Sequence, residues 1–331
     1  MKRLLIICGG ILLVFGLILP AYAILKLGDV NGDGKASMVD AMLIAQYAKG
    51  LIQLTPEQLL AADIDGDGKV STYDARIIAN YVAGNIKSFD NILKLGDVNG
   101  DGKVTAVDAM LAAQGAAGLR QLTPEQLLAA DVDGDGKVTA YDARIIASYV
   151  VGNIKSLDNV QRLGDVNGDG KASMVDAMLI TQYAAGLIQL TPEQTLAADI
   201  DGDGKVTAYD ARIIASYVVG NIKSFDNILK LGDVNGDGKV TAVDAMLAAQ
   251  GAAGLRQLTP EQLLAADVDG DGKVTLADSK RILVYVAGLI KSFDDTLTVS
   301  IGTIKKDRLI SDGGIPFVPR MGTTKENILE R

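Results

Sequence analysis

The chain has 331 residues and a formal charge of −9, with 48% apolar residues but only 5% aromatics and no tryptophan, so any core must be built from Ala, Val, Ile, Leu and Met. Histidine is absent and Cys8 is the only cysteine, which removes the commonest catalytic and metal-binding side chains. The acidic balance argues against a nucleic-acid partner, because phosphate binding needs a basic field.

Residues 1–23, MKRLLIICGGILLVFGLILPAYA, have a basic start, a long apolar run and the small-x-small pattern Ala21-Tyr22-Ala23. This predicts a secretory signal peptide cut after Ala23. The run also approaches the length that spans a bilayer, so an uncleaved anchor stays open as the alternative. After cleavage no cysteine and no membrane segment would remain, and the chain is expected outside the cell or at its surface, without disulfides.

The next stretch, ILKLGD, reads as extended and leads into a dense acidic loop. The pattern D-x-[DN]-x-D-G-x-x-[ST]-x-x-D begins at Asp29, Asp63, Asp97, Asp131, Asp165, Asp199, Asp233 and Asp267, always 34 residues apart. Such a period also suits tetratricopeptide repeats, but those are paired helices with no acidic loop. Odd and even copies differ, so the unit is 68 residues: 24–91, 92–159, 160–227 and 228–295. No Pro- or Ser-rich linker separates the units, which predicts a continuous array rather than beads on a string.

A Ser or Thr follows each loop centre with an Asp three residues on, as in Ser37/Asp40 and Ser71/Asp74. That is the spacing of a capping box and starts a helix. Each helix is closed by a Gly on the same clock, from Gly50 to Gly288, giving roughly 11–12 residues apiece. A shorter helix precedes only the even loops: in LTPEQLLAAD, Thr55 caps, Pro56 takes the first helical position and Gln58 closes a box. The first long helix, with Met42, Leu43, Ile44 and Tyr47, is apolar all round and expects contacts on several sides. Its even counterpart is more amphipathic, with Ile77, Ile78, Tyr81 and Val82 set against Arg76 and Asn80.

Within each loop, oxygen donors fall at positions 1, 3, 5, 9 and 12, with a backbone carbonyl at 7 and a Gly at 6 for the sharp turn. Six to eight hard oxygens on alternate residues of a tight loop is what Ca²⁺ requires, and the spacing is that of an EF-hand loop with Asp in the last place. The first loop offers Asp29, Asn31, Asp33, Ser37 and Asp40 with the carbonyl of Lys35, and the second offers Asp63, Asp65, Asp67, Ser71 and Asp74 with Lys69. In the second unit the sets are Asp97, Asn99, Asp101, Lys103, Thr105 and Asp108, then Asp131, Asp133, Asp135, Lys137, Thr139 and Asp142. The third unit gives Asp165, Asn167, Asp169, Lys171, Ser173 and Asp176, then Asp199, Asp201, Asp203, Lys205, Thr207 and Asp210. The fourth gives Asp233, Asn235, Asp237, Lys239, Thr241 and Asp244, then Asp267, Asp269, Asp271, Lys273, Thr275 and Asp278. Odd loops carry three carboxylates and even loops four, so the loops hold 28 of the 41 acidic residues. Up to eight Ca²⁺ are expected. With every acidic cluster assigned to metal and no histidine, no catalytic constellation is found and no enzyme is expected.

Two calcium loops, each followed by a helix, with a short helix between them, resemble a dockerin domain; residues 24–295 resemble four in tandem. The expected fold is therefore all-α, a tandem array of four dockerin-like units with a C-terminal extended tail. The resemblance implies calcium-dependent folding and docking onto cohesin-type modules through the loop-flanking helices, with loop positions 10 and 11 often engaged. Here those positions carry Met38/Val39, Thr72/Tyr73, Ala106/Val107, Ala140/Tyr141, Met174/Val175, Ala208/Tyr209, Ala242/Val243 and Leu276/Ala277. They lack the Ser-Thr pair of many type I members, and Ala45-Gln46 replaces a later Lys-Arg pair, so the apolar helices look closer to type II.

Beyond Asp295 the repeat stops, and in 296–331 the alternation of Leu297, Val299 and Ile301 predicts a strand. The leader at Ile24 repeats the one that joins internal units at Ile92 and Ile228, as though it were an open joint. Two functions follow. The favoured one is a structural rod, stiffened by calcium and self-associating head to tail into an extracellular filament through that tail. The alternative is a multivalent adaptor for cohesin-bearing proteins, and calcium buffering at the cell surface is a weaker third.

Overall fold

In the computed structural model, residues 25–158 and 160–293 are described, and they contain twelve helices and no strand. The first unit holds α1 (Met38–Ala48), α2 (Pro56–Ala62) and α3 (Thr72–Val82). The second holds α4 (Ala106–Ala116), α5 (Pro124–Ala130) and α6 (Ala140–Val150). The third holds α7 (Met174–Ala184), α8 (Pro192–Ala198) and α9 (Ala208–Val218), and the fourth α10 (Ala242–Ala252), α11 (Pro260–Ala266) and α12 (Leu276–Val286). The predicted leader peptide and the predicted strand at Leu297, Val299 and Ile301 lie outside the described residues. Among the described residues no helix is long and apolar enough to cross a membrane.

The expected start signals operate at each helix. Ser37 stands in extended conformation, its hydroxyl accepts from Val39 N–H, and Asp40 returns the bond to the Ser37 N–H. Thr55 and Gln58 do the same for α2, with Pro56 in the first turn. At the far end of α1, Gly50 adopts φ +70 and donates to Tyr47 O, while Leu51 N–H reaches Gln46 O. That pair of bonds closes the helix and needs a residue at ease with positive φ.

Each unit is a pair of long helices, α1 on α3, α4 on α6, α7 on α9 and α10 on α12. In the first unit Ala41 and Ile44 of α1 meet Tyr73, Ile77 and Ile78 of α3. Val30 and Ile64, the second residues of the two loops, insert into the same cluster, so the loops are anchored in the core they flank. Fully burying Ile44, Ile77 and Ile78 contributes about 1.5–3 kcal/mol apiece. The other side of α1 is half exposed among the described residues: Met38 (54%), Val39 (48%) and Met42 (54%) line an open groove shared with Val132, Leu157 and Val160 of the second unit. The all-round apolar character of α1 thus splits into a buried face and a half-exposed one.

Consecutive units meet through their short helices. Leu128 of α5 joins the first unit's core, and Leu196 and Leu264 pack on the second and third. The equivalent Leu60 of the first unit is 78% exposed, against 8% for Leu128. Tyrosines of the third helix in the first three units fasten the next leader: Tyr73 OH donates to Leu93 O at 2.8 Å, Tyr141 OH to Gln161 O at 2.7 Å and Tyr209 OH to Leu229 O at 2.7 Å.

Candidate metal centres

The eight acidic loops share one frame, set by the last aspartate. Asp40 is fully buried; its Oδ1 accepts from Val30 N–H (2.8 Å) and Asn31 N–H (2.9 Å), and its Oδ2 from the N–H and hydroxyl of Ser37 (2.9 and 2.8 Å). Asp74 repeats this with Ile64, Asp65 and Ser71, and Asp108, Asp142, Asp176, Asp210, Asp244 and Asp278 close the same capping boxes. One carboxylate therefore ties the loop's entrance to its exit and caps the following helix. The hydroxyls of Ser37, Ser71, Thr105, Thr139, Ser173, Thr207, Thr241 and Thr275 are spent on the caps, which leaves position 9 suited to a water-mediated contact.

At the loop's start the geometry is different. Asp29 Oδ2 accepts from Gly34 N–H at 2.9 Å, but its Oδ1 is buried with no partner, as are Asp63 Oδ1, Asp131 Oδ1 and Asp199 Oδ1. A buried, unpartnered carboxylate oxygen is costly unless something positive meets it. Hard oxygens aimed inward and lacking partners suit a divalent cation such as Ca²⁺. In the even loops three carboxylates offer oxygens within 4.8 Å of one another: Asp63, Asp65 and Asp74; Asp131, Asp133 and Asp142; Asp199, Asp201 and Asp203; Asp267, Asp269 and Asp271.

Like charge held this closely, away from water, resists ionisation. Burial, and then the neighbouring Asp74 and Asp67, push Asp65 up to about 7; Asp133 and Asp201 also rise to about 7, first through burial and then through their loop partners. Burial raises Asp74, Asp142 and Asp210 to about 6 despite their backbone hydrogen bonds. Odd loops place Asn31, Asn99, Asn167 and Asn235 where the even loops have an aspartate. Asn31 donates from Nδ2 to Asp33 Oδ2 (3.1 Å) and accepts at Oδ1 from Asp33 N–H (2.8 Å), so an amide bridges what would otherwise be a repulsive pair. The other odd loops carry the same bridge, from Asn99 to Asp101, Asn167 to Asp169 and Asn235 to Asp237. Asp67, Asp135 and Asp271 accept from the N–H of the lysine two residues on, which directs the chain through position 7.

Sequence reasoning missed an arginine at the rim of three even loops. Arg144 Nη1 pairs with Asp199 Oδ2 at 2.8 Å and its Nη2 donates to Asp199 O at 2.9 Å; Arg212 treats Asp267 alike at 2.9 Å and 2.9 Å. Arg76 donates to Leu128 O (3.1 Å) and Asp131 O (2.6 Å), with Asp131 Oδ2 at 3.8 Å. Each arginine belongs to the preceding unit. The recurrence of Arg76, Arg144 and Arg212 at the repeat interval was the available signal, but the contact spans 55 residues and depends on how the units stack.

A family model described as the dockerin type I domain matches four times, at residues 27–83, 95–151, 163–219 and 231–286. The leaning toward type II, drawn from apolar helices, finds no support: apolar side chains at loop positions 10 and 11 do not remove the chain from the type I pattern. No curated protein matches the chain. Dockerin domains bind Ca²⁺ and dock onto cohesin modules. With four tandem matches over well more than half its length and an all-helical loop–helix architecture in each, the chain belongs to the dockerin type I domain family.

Proposed function

We propose that the chain is a multivalent docking protein, secreted and non-catalytic, whose four units each fold around two Ca²⁺ and offer a helix face to a cohesin-type module. The observation that carries this reading is the repeated open stripe on the first long helix of each unit. Met38, Val39 and Met42 recur as Val107 and Met110, as Met174, Val175 and Met178, and as Val243 and Met246, each about half exposed. Single apolar residues on a surface need no explanation, but a stripe repeated on four copies of a docking domain is what a protein partner would cover. The donors named above, from Asp29 to Asp278, serve in this proposal as the ligands of up to eight Ca²⁺. The metal would supply positive charge at the unpartnered aspartate oxygens, while the protein's residues place the carboxylates and start the helix.

The head-to-tail filament has less behind it. Its predicted strand lies outside the described residues, and the joint used between units is not repeated on α12. Where α3, α6 and α9 carry a tyrosine and an arginine, α12 carries Ala277 and Lys280. A second copy stacking there would lack both fastenings. Tandem domains gain avidity instead by engaging several partners or one partner with several modules.

Calorimetric titration of the chain with an isolated cohesin module tests the proposal. Binding is expected in calcium, none in chelator, and a drop of about tenfold or more in affinity per unit on Met42→Asp and its equivalents. Absence of binding to type I or type II cohesins at saturating calcium overturns it.

A further inference from the structure

At three places the calcium loop of one unit is completed by a side chain of another. Arg76, Arg144 and Arg212 leave α3, α6 and α9 and reach the first aspartate of the second loop in the following unit. Each guanidinium is steered from behind by a tyrosine one turn earlier: Arg76 stands 5.3 Å from the Tyr73 ring, Arg144 5.3 Å from Tyr141 and Arg212 5.2 Å from Tyr209. The same tyrosines hold the next leader through their hydroxyls, so one helix face grips both ends of the neighbour's first half.

The grip falls on a carboxylate with two separate duties. Asp199 Oδ2 takes the Arg144 bond together with Gly204 N–H (3.2 Å), while Asp199 Oδ1 is buried and faces no donor. The guanidinium also binds the Asp199 main-chain oxygen, a contact available only when the loop has its ordered path. Gly202, three residues on at φ +69, leaves room for it: a Cβ there would sit 3.0 Å from Arg144 Nη1, and at Gly134 2.6 Å from Arg76 Nη1. The first unit supplies the contrast. Among the described residues no unit precedes it, Asp63 meets no arginine, and Asp63 is less deeply buried than Asp131, Asp199 and Asp267.

We infer that Arg76, Arg144 and Arg212 are positioning residues that couple calcium occupancy of the fourth, sixth and eighth loops to the stacking of consecutive units. A bound Ca²⁺ would meet the unpartnered Oδ1 of Asp131 and Asp199, and in the eighth loop Asp267 Oδ1, which accepts from Gly270 N–H at 2.9 Å; the ordered loop presents Oδ2 and the main-chain oxygen to the arginine, and the arginine fixes the orientation of the preceding unit. Coupling of this kind is reciprocal, so the arginine strengthens calcium binding at the loop it touches. It rests on calcium binding by the family and not on which partner docks. Its consequence is that calcium sets the relative orientation of the units as well as their individual folds.

The test uses the chain with Cys8→Ser and spin labels on Leu119→Cys and Leu187→Cys, two exposed sites in the second and third units. Interlabel distances are measured by electron paramagnetic resonance alongside calorimetric calcium titration. In calcium the parent should give one narrow distance. Arg144→Ala should broaden it while circular dichroism still reports full helix, and should weaken one calcium site about five- to tenfold. Arg144→Lys, which keeps the charge and loses the fork, should fall between the two. A narrow distance in calcium-loaded Arg144→Ala, or an unchanged calcium isotherm, overturns the inference.

Discussion

The odd and even loops fold to the same frame and solve a different electrostatic problem. Both are pinned by a last aspartate that spends four hydrogen bonds on loop and helix cap. They differ at position 3. Asn31 bridges to Asp33 and leaves three carboxylates, whereas Asp65 adds a fourth that burial and its neighbours hold reluctant to ionise. The even loops are therefore the strained half of each unit, with more to gain from a cation, and in the second, third and fourth units they are also the half that the preceding unit's arginine touches. In that difference lies a division of labour: odd loops stand easily by themselves, and even loops carry the charge that makes metal and stacking matter.

The largest expected effect falls on what the two loops share. Asp74→Ala strands the Ile64, Asp65 and Ser71 N–H groups and removes a capping box, so thermal or urea unfolding in calcium should show a loss of about 3 kcal/mol or more for that unit. Asp40→Ala should cost a similar amount, and a markedly smaller loss in either loop would break the idea of a common frame. Exchanging the distinguishing residue comes next. Asp65→Asn should stabilise the calcium-free fold by about 1 kcal/mol and weaken calcium at that loop about tenfold; Asn31→Asp should do the reverse. Matched calcium titrations of the two variants sharpen the comparison or erase it.

A subtler effect is pH. Asp65, Asp133 and Asp201 bind protons more tightly folded, with values pushed to about 7, than in the unfolded chain near 3.8. The calcium-free fold should thus gain stability as pH falls from 7 toward 4, and the loss on raising pH should be complete just above 7. Calcium must displace those protons, so binding in weak buffer at pH 7 should release acid, and affinity should fall as pH drops below about 7. A pH electrode during calcium addition reads this directly; no release would place the even carboxylates fully ionised beforehand.

Much of this was legible because it is local. Ser37 with Asp40 and Thr55 with Gln58 announced helix starts that the structure reproduces, and Gly50 announced an end, since caps depend on residues three or four apart. The donor positions followed from the same short-range spacing. What could not be read was the consequence of stacking. Arg76 read as part of the polar side of an amphipathic helix, and only the arrangement of the units brings it to Asp131. Leu60 and Leu128 are identical in local sequence and opposite in exposure for the same reason. The apolar stripe at Met38, Val39 and Met42 was visible, but composition alone misdirected the choice of family type.

Native mass spectrometry of the chelator-stripped chain, titrated with calcium and followed in parallel by circular dichroism, tests the central claim most directly. Stepwise uptake approaching eight Ca²⁺, accompanied by a rise in helix content, is the predicted result. A chain that is fully helical in chelator and takes up no calcium would contradict it.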